Sequence, residues 1–336
     1  MTEQEAMQHA LSLAMRGWGR VAPNPLVGAV VLREGRAVAE GWHAEYGEAH
    51  AERAALAQAG ALAEGATVVV TLEPCAHTGK QPPCTEALLA AGVRRVVIAA
   101  GDPNPEARGG AARLRAAGIE VVGGVLEAEA RRLNAPFFHR FADPERPWVA
   151  LKLATSREGW IAPPGGERRQ LSGPEAQAWV HWLRAGFDAI GVGGRTALTD
   201  DPALTVRGAL APRRAPERVV FTGGAVVPPS ARLRADQGPR THLLAGHDLA
   251  AQLGRLRREG NLHSLLIEGG GRLAAALVEA GLVDRYYWIE TPVALGPGGV
   301  PAFPGYEEGR GAPPGRWVET ERKSLGPDTL HVMERA

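Results

Sequence analysis

Residues 47–84 read GEAHAERAALAQAGALAEGATVVVTLEPCAHTGKQPPC, and they hold His50, Glu52 and both cysteines of the chain, Cys75 and Cys84. One imidazole and two thiolates are a zinc ligand set that leaves the fourth tetrahedral position open, as catalytic sites do and closed structural sites do not. Two thiolates balance the charge of Zn²⁺ yet leave it a Lewis acid, so that water there ionises near pH ~7 instead of ~16. A carboxylate that does not bind the ion must then carry the proton. Glu52, two residues after His50, is placed for that role.

The local structure expected from this stretch supports a shared site. Composition predicts a helix over residues 49–59, ended by Gly60, with His50 in its first turn. The β-branched run TVVVTL at 67–72 predicts a buried strand. Cys84 opens a helix, where free N–H groups and the dipole favour a thiolate. Zinc deaminases carry H-x-E followed by P-C-x-x-C. Here H-A-E fits, while residues 76–83 separate the cysteines, an insertion that suits a loop touching substrate. The reading is a hydrolytic deaminase centre. Two alternatives stay open: a structural zinc site, with His43 or His77 as fourth ligand, and two unrelated buried cysteines.

The 336 residues suffice for two domains, and a net charge of +1 with 22% charged residues gives no strong pull toward nucleic acid or membrane. Aromatic content of 5% argues against a base-stacking groove, and so against a nucleic-acid deaminase with a binding module. No apolar run reaches transmembrane length and the N-terminus lacks a signal-peptide pattern. With both cysteines assigned to the metal, none is left for a disulfide, which fits a cytoplasmic protein. A non-enzymatic zinc-stabilised binding protein remains the other class to exclude.

Upstream, residues 2–16 predict an amphipathic helix with Ala6, Ala10, Leu13 and Ala14 on one side. LVGAVVL, REGR and AVAEGWH predict a β-hairpin. Asn24 lies between Pro23 and Pro25, which either aim its amide at a ligand or make it a turn residue. His43 ends the second strand. Downstream, RRVVIAAGDPNP reads as strand and turn, GGAARLRAAG as helix, IEVVGGV as strand and EAEARRLNAPFFHRF as one further helix. The alternation predicts a sheet with helices on both faces. Residues 143–147 form a polar, proline-bearing linker.

PNPLVGAVV, HAE, TLEPCAHTGKQPPC and GDPNP together resemble the deaminase half of the bifunctional riboflavin-biosynthesis deaminase/reductase family. The resemblance implies a cytidine-deaminase-like three-layer α/β/α domain over residues 1–143. It implies that His50, Cys75 and Cys84 bind zinc, that Glu52 is the proton carrier, and that Asn24, His43, His77, Lys80 and Asn104 touch substrate. Lys80 also suits a ribose phosphate on charge alone, against the plainer reading of a solvated loop lysine.

In the second half, WVALKLATSREGWIA predicts two apolar stretches around a turn. SGPEAQAWVHWLRAG predicts a helix with Ser172 as N-cap and Pro174 in its first turn. FDAIGVGGRTALTDDPALTVR reads as a strand running into a loop. RVVFTGG and THLLAG read as short strands, DLAAQLGRLRREG as a helix and RWVETERKSLGPDTLHVME as a closing hairpin. Gly269, Gly271 and Ala274 fall in G-x-G-x-x-A order between a predicted strand and helix, which suits a phosphate on the helix N-terminus.

LKLATSREG, GGRTALTDDPALTVR and IEGGGRLAAALVEAGLVD are similar to the reductase half of the same family. That implies a dihydrofolate-reductase-like α/β domain over residues 147–336. By position, NADPH would meet Ala154, Thr196, Asp200 and segment 270–276, including Gly270, Gly271, Arg272, Leu273 and Ala274. The ribose-phosphate substrate would meet Arg184, Leu204, Arg207 and Glu268. The implied activity is consecutive. A 2,5-diamino-6-ribosylamino-4(3H)-pyrimidinone 5′-phosphate loses its 2-amino group, and NADPH then reduces the ribosyl group to give 5-amino-6-(5-phospho-D-ribitylamino)uracil. The family also implies a homodimer or homotetramer. The chain departs from the usual pattern at Glu158, at Arg168 to Gln170 (with Arg168 and Arg169 as alternative phosphate holders) and at Gly223. These departures leave open a deaminase whose second domain has lost or changed its reductase activity.

Overall fold

The computed structural model describes residues 1–234 and 238–336, which form two compact units, Met1–Asp143 and Pro144–Ala336. Unit 1 contains, in order, α1 (Glu3–Ala14), β1 (Gly28–Arg33), β2 (Arg36–Trp42), α2 (Ala51–Ala59), β3 (Thr67–Leu72), α3 (Cys84–Ala90), β4 (Arg95–Ala100), α4 (Gly110–Ala116), β5 (Glu120–Gly123), α5 (Glu127–Leu133) and α6 (Ala135–Ala142). Thr2 and Glu5 start α1 with a reciprocal capping box, and Ala6, Ala10, Leu13 and Ala14 are all buried.

The sheet runs β2-β1-β3-β4-β5, with β1 antiparallel to both neighbours and β3, β4 and β5 parallel. Helices cover both of its faces, as two glycines show. A Cβ on Gly28 would lie 2.0 Å from the Ala10 carbonyl of α1, and one on Gly41 would lie 2.3 Å from the Ala51 carbonyl of α2. Gly41 pairs with Ala29, the residue after Gly28. Cross-strand partners share a face and successive residues alternate. Thus α1 and α2 pack on opposite faces, each close enough to exclude a side chain.

Two local expectations need correction here. His50 is the N-cap of α2, in extended conformation (φ −70°, ψ 161°), and not a first-turn residue. The single helix expected after β5 is broken into α5 and α6 at Asn134 (φ −104°, ψ 26°). Pro136 removes one helical N–H. Asn134, only 3% exposed, spends its amide on a distant segment: it accepts from Leu26 N–H at 2.8 Å and donates to Leu26 C=O at 2.9 Å.

Unit 2 contains β6 (Trp148–Thr155), β7 (Trp160–Ala162), α7 (Pro174–Arg184), β8 (Ala189–Gly193), α8 (Gly194–Asp200), β9 (Glu217–Phe221), β10 (Thr241–Leu244), α9 (Leu249–Gly260), β11 (Ser264–Glu268), α10 (Gly271–Glu279), β12 (Arg285–Glu290), β13 (Val300–Pro301), β14 (Trp317–Leu325) and β15 (Asp328–Arg335). The large sheet runs β10-β9-β8-β11-β6-β12-β15-β14, parallel through β12 and closed at one edge by the antiparallel C-terminal hairpin. Val149, Leu151, Leu265, Ile267 and Tyr286 fill its core, as expected for strands covered on both faces.

Two further expectations fail in this unit. Gly173 and not Ser172 is the N-cap of α7, and its N–H is taken by the Asp328 carboxylate at 2.7 Å. The segment after β8, read as loop, begins as α8, which ends at Asp201 in left-handed conformation (φ 40°).

Candidate active sites

The carboxyl end of β3, the N-terminus of α3 and the N-cap of α2 converge in unit 1. His50 Nδ1 lies 3.3 Å from Cys84 Sγ and 3.6 Å from Cys75 Sγ. Ordinary Zn–N and Zn–S bonds at a tetrahedral angle place such donors about 3.6 Å apart. The donor atoms of His50, Cys75 and Cys84 all fall within 4.8 Å of one another. Among the described residues no fourth Cys, His, Asp or Glu joins that group. His43 is engaged elsewhere, with Nδ1 3.1 Å from Ala49 C=O and Nε2 3.2 Å from the Asn24 amide. His77 lines the adjoining cavity without entering the cluster.

Electrostatics also fit a cation. The hydrogen bond from Cys84 brings the Cys75 thiol down to about 4, with help from His50 and from Cys84 N–H, which donates at 3.3 Å. That thiolate, together with burial, drives the Cys84 thiol up. A divalent ion held by the three residues would let both sulfurs serve as thiolates. Glu52, 3% exposed, sits beside Cys84 in the first turn of α2. Burial raises its carboxyl, and the neighbouring His50 opposes the shift. A raised carboxyl that is not a ligand suits proton transfer near neutral pH.

The cavity beside this cluster is lined by His50, Glu52 and Cys75 and by all five residues expected to touch substrate: Asn24, His43, His77, Lys80 and Asn104. Lys80 Nζ stands 4.1 Å from the centre of the Tyr46 ring, and Gln81 donates to Gly47 C=O at 3.0 Å, which folds the 76–83 loop over the cavity. Sequence reading missed Tyr46, Glu73, Asp102 and Phe137, which also line it. Asp102 follows the carboxyl end of β4, a position where ligands of parallel sheets collect. Burial first, then the Glu73 charge, raise its carboxyl to about 6.

In unit 2 a second constellation gathers around the ends of β6, β11 and α7. Arg184, the last residue of α7, makes a bidentate pair with Glu268 at the end of β11 and donates to Thr205 C=O at 2.8 Å. It is therefore not a surface ion-pair residue. Leu204 is buried with φ +48°, and Arg207 donates to the Thr205 hydroxyl at 3.3 Å. Arg184, Leu204 and Arg207 thus meet at segment 204–207, and Glu268 joins them through Arg184. Lys152, absent from the sequence expectations, pairs in register with Glu268. Burial lowers its ammonium group, against the pull of Glu268. A lysine interrupting the apolar run VALKLA was the available signal.

The expected cofactor residues lie on neighbouring elements. Gly270 is the N-cap of α10, and Gly271, Arg272, Leu273 and Ala274 form its first turn. Thr196, on α8, faces this turn: its Oγ1 lies 3.1 Å from where a Gly270 Cβ would stand. Leu273 similarly approaches Gly193. Asp200 closes α8, with its carboxyl raised by burial and drawn down by the charge of Arg168. Ala154 lies one residue before the end of β6. Helix N-terminal N–H groups over a small-residue turn fit a phosphate. Of the departures, Glu158 binds the Ser156 hydroxyl at 2.6 Å and the Leu295 and Gly296 N–H groups at 3.2 Å each. Gln170 donates to Ser172 C=O, and Gly223 occupies a positive-φ turn.

Comparison with known proteins agrees with both units. Residues 147–330 match the RibD C-terminal domain, and residues 1–100 match the cytidine and deoxycytidylate deaminase zinc-binding region. The riboflavin biosynthesis protein RibD of Escherichia coli is 39% identical over 99% of this chain and 100% of its own length. That of Mycobacterium tuberculosis is 40% identical over 97% and 95%. The Acinetobacter baumannii RibD structure superposes with a TM-score of 0.85 at 33% identity, covering 99% of each chain. A Thermotoga maritima structure, described as a diaminohydroxyphosphoribosylaminopyrimidine deaminase/5-amino-6-(5-phosphoribosylamino)uracil reductase, gives 0.82 at 33% identity with the same coverage. Both halves match, so the alternative of a deaminase with a lapsed second domain is set aside. With a zinc-type ligand set in one unit and a RibD reductase domain in the other, the chain belongs to the RibD family of bifunctional riboflavin-biosynthesis deaminase/reductases.

Proposed function

We propose that unit 1 deaminates 2,5-diamino-6-ribosylamino-4(3H)-pyrimidinone 5′-phosphate and that unit 2 reduces the ribosyl group of the product with NADPH. The observation that carries this reading is the three-donor cluster of His50, Cys75 and Cys84 with buried Glu52 beside it at the wall of one cavity.

His50, Cys75 and Cys84 would hold zinc, which supplies Lewis-acid activation of water near neutral pH. Glu52 takes the proton released by the attacking water and passes it to the ring nitrogen, then carries the proton of the added hydroxyl to the departing amine. Burial raises its carboxyl, which favours taking up a proton. Asn24, His43, His77 and Asn104 orient the ring, and Lys80 neutralises the ribose phosphate at the cavity mouth. The bond between Asn24 and His43 fixes both groups before substrate arrives.

In unit 2 the first turn of α10, with Thr196, Asp200 and Ala154, would bind NADPH, which supplies the hydride. Arg184, Leu204, Arg207 and Glu268 would hold the ribose phosphate. Arg184 already spends two donors on Glu268, so its contribution to the phosphate is through the remaining N–H groups and its charge. The family resemblance supports a homodimer or homotetramer working in the cytoplasm. Among the described residues no helix is long and apolar enough to cross a membrane.

The test is incubation with the diaminopyrimidine ribotide, with and without NADPH, following ammonia and product mass. Wild type releases ammonia without NADPH and completes the reduction only with it. Glu52→Gln keeps its zinc and fold and loses ammonia release by about 10²–10⁴-fold. A mutant that loses its metal instead assigns Glu52 a structural role.

A further inference from the structure

We propose that Phe137 is a specificity-determining residue of the deaminase site, the aromatic wall for the face of the pyrimidine turned away from the metal cluster, and that Asn134 is the residue that positions it. The inference rests on the deaminase reading of unit 1.

A nucleophile adds to a trigonal ring carbon from above the ring plane. One face of the pyrimidine must therefore look toward His50, Cys75 and Cys84. The other face needs an apolar partner; Val27, Leu72 and Phe137 are apolar residues of the lining, and of these three Phe137 offers a π surface. Tyr46, also aromatic, is covered by the Lys80 ammonium. The planar ring of the substrate packs on Phe137 in an offset or edge arrangement.

Phe137 sits on α6, a strongly amphipathic helix with no buried residue of its own. Its ring makes edge contacts with Phe138 at 5.9 Å and Phe141 at 5.4 Å, and those two carry the guanidinium groups of Arg131 and Arg140. Phe137 and Phe138 also pack against the main core of unit 1. Asn134 adds a polar tie at the start of the helix: its amide clasps both backbone groups of Leu26 across 108 residues of sequence. Leu26 adjoins Pro25 and Val27, both in the cavity lining, and lies two residues from Asn24. One buried side chain thus places the Asn24 segment and the Phe137 ring relative to each other.

The experiment measures ammonia release against ribotide concentration, zinc content, and NADPH oxidation on the deaminated ribotide, in the full chain. Phe137→Leu raises KM for the diaminopyrimidine about tenfold while kcat stays within about twofold, and zinc and reductase turnover stay at wild-type values. Phe137→Tyr keeps the ring and restores KM. Asn134→Ala gives the same KM-selective loss as Phe137→Leu. A KM within twofold of wild type in Phe137→Leu, or an equal fall of kcat and zinc in both the Leu and Tyr variants, overturns the proposal. Calorimetric binding of the ribotide in a Glu52→Gln background reads the contact without turnover. A wild type that binds the ribotide but releases no ammonia sinks the deaminase reading alone. Unchanged affinity after Phe137→Leu in that background sinks the role of Phe137 alone.

Discussion

Arg184 and Glu268 meet through two parallel hydrogen bonds, Nε to Oε1 at 2.5 Å and Nη2 to Oε2 at 2.9 Å, with side chains only 15% and 11% exposed. The pair joins the C-terminus of α7 to the end of β11 and so sets the floor of the second constellation. Burial alone would raise the Glu268 carboxyl above its ordinary 4.5; Arg184, with Lys152 behind it, outweighs burial and the net shift is downward. A carboxyl lowered by folding adds stability that is complete above its unfolded value and is lost as the pH falls through its folded value. Glu268→Ala is expected to cost about 3 kcal/mol at pH 7, because it strands a nearly buried guanidinium. The difference from wild type should shrink below pH 4.5. Urea midpoints of the two proteins at pH 7 and pH 3 decide it, and a pH-independent gap contradicts the assignment.

Chelation should separate the two activities. Removing zinc, or replacing Cys84 by Ala, abolishes ammonia release, while NADPH oxidation on the deaminated ribotide persists, because no residue of the Arg184 constellation comes from unit 1. Metal analysis gives one zinc per chain in wild type and none in Cys84→Ala. Loss of both activities on chelation would show that the metal supports more than the site it occupies.

Gly41→Ala tests the packing that presents His50 and Glu52. Its Cβ would stand 2.3 Å from Ala51 C=O and 2.5 Å from Ala55 N, so α2 must back away from the sheet. Overpacking of this kind costs about 3 kcal/mol. The expected result is a lower melting point, reduced zinc content and reduced ammonia release, with reductase turnover retained. Normal zinc content in the variant would mean that α2 tolerates the shift without moving its N-cap.

Glu158 reaches three donors at once. The Ser156 hydroxyl is the main reason its carboxyl is lowered to about 2. The lowered value means that its hold on the Leu295 and Gly296 amides is full above pH 4.5 and released only as the pH approaches 2. Carboxyl titration by NMR should find that low midpoint. In Glu158→Asp the side chain is one methylene shorter, and hydrogen exchange at Leu295 and Gly296 should accelerate. Unchanged exchange would show that the loop is held by other bonds.

The zinc-type cluster was legible because few residue types bind that ion, and both cysteines of the chain lie in one stretch with His50. The β1–β2 hairpin and β3 were legible because their apolar runs match a strand period. Asn134 was not, since asparagine is unremarkable within a helical composition and its partner, Leu26, lies far away in sequence. α8 was hidden for a related reason: GRTALTDD has turn-like composition at both ends, yet Gly194–Asp200 is helical. Lys152 was signalled only by its interruption of an apolar run, and its shifted ionisation, like that of Asp102, comes from burial and from charged neighbours distant in sequence.

Among the described residues, the apolar interior of unit 1 is drawn from residues 6–138, and the interior around β6 and β11 from residues 149–333. Each of these clusters is drawn from a single unit. The polypeptide should therefore be severable: a gene cut between codons 143 and 144 ought to yield two soluble catalysts instead of two aggregating fragments. Selection would then be free to tune, exchange or duplicate either half without repairing its companion.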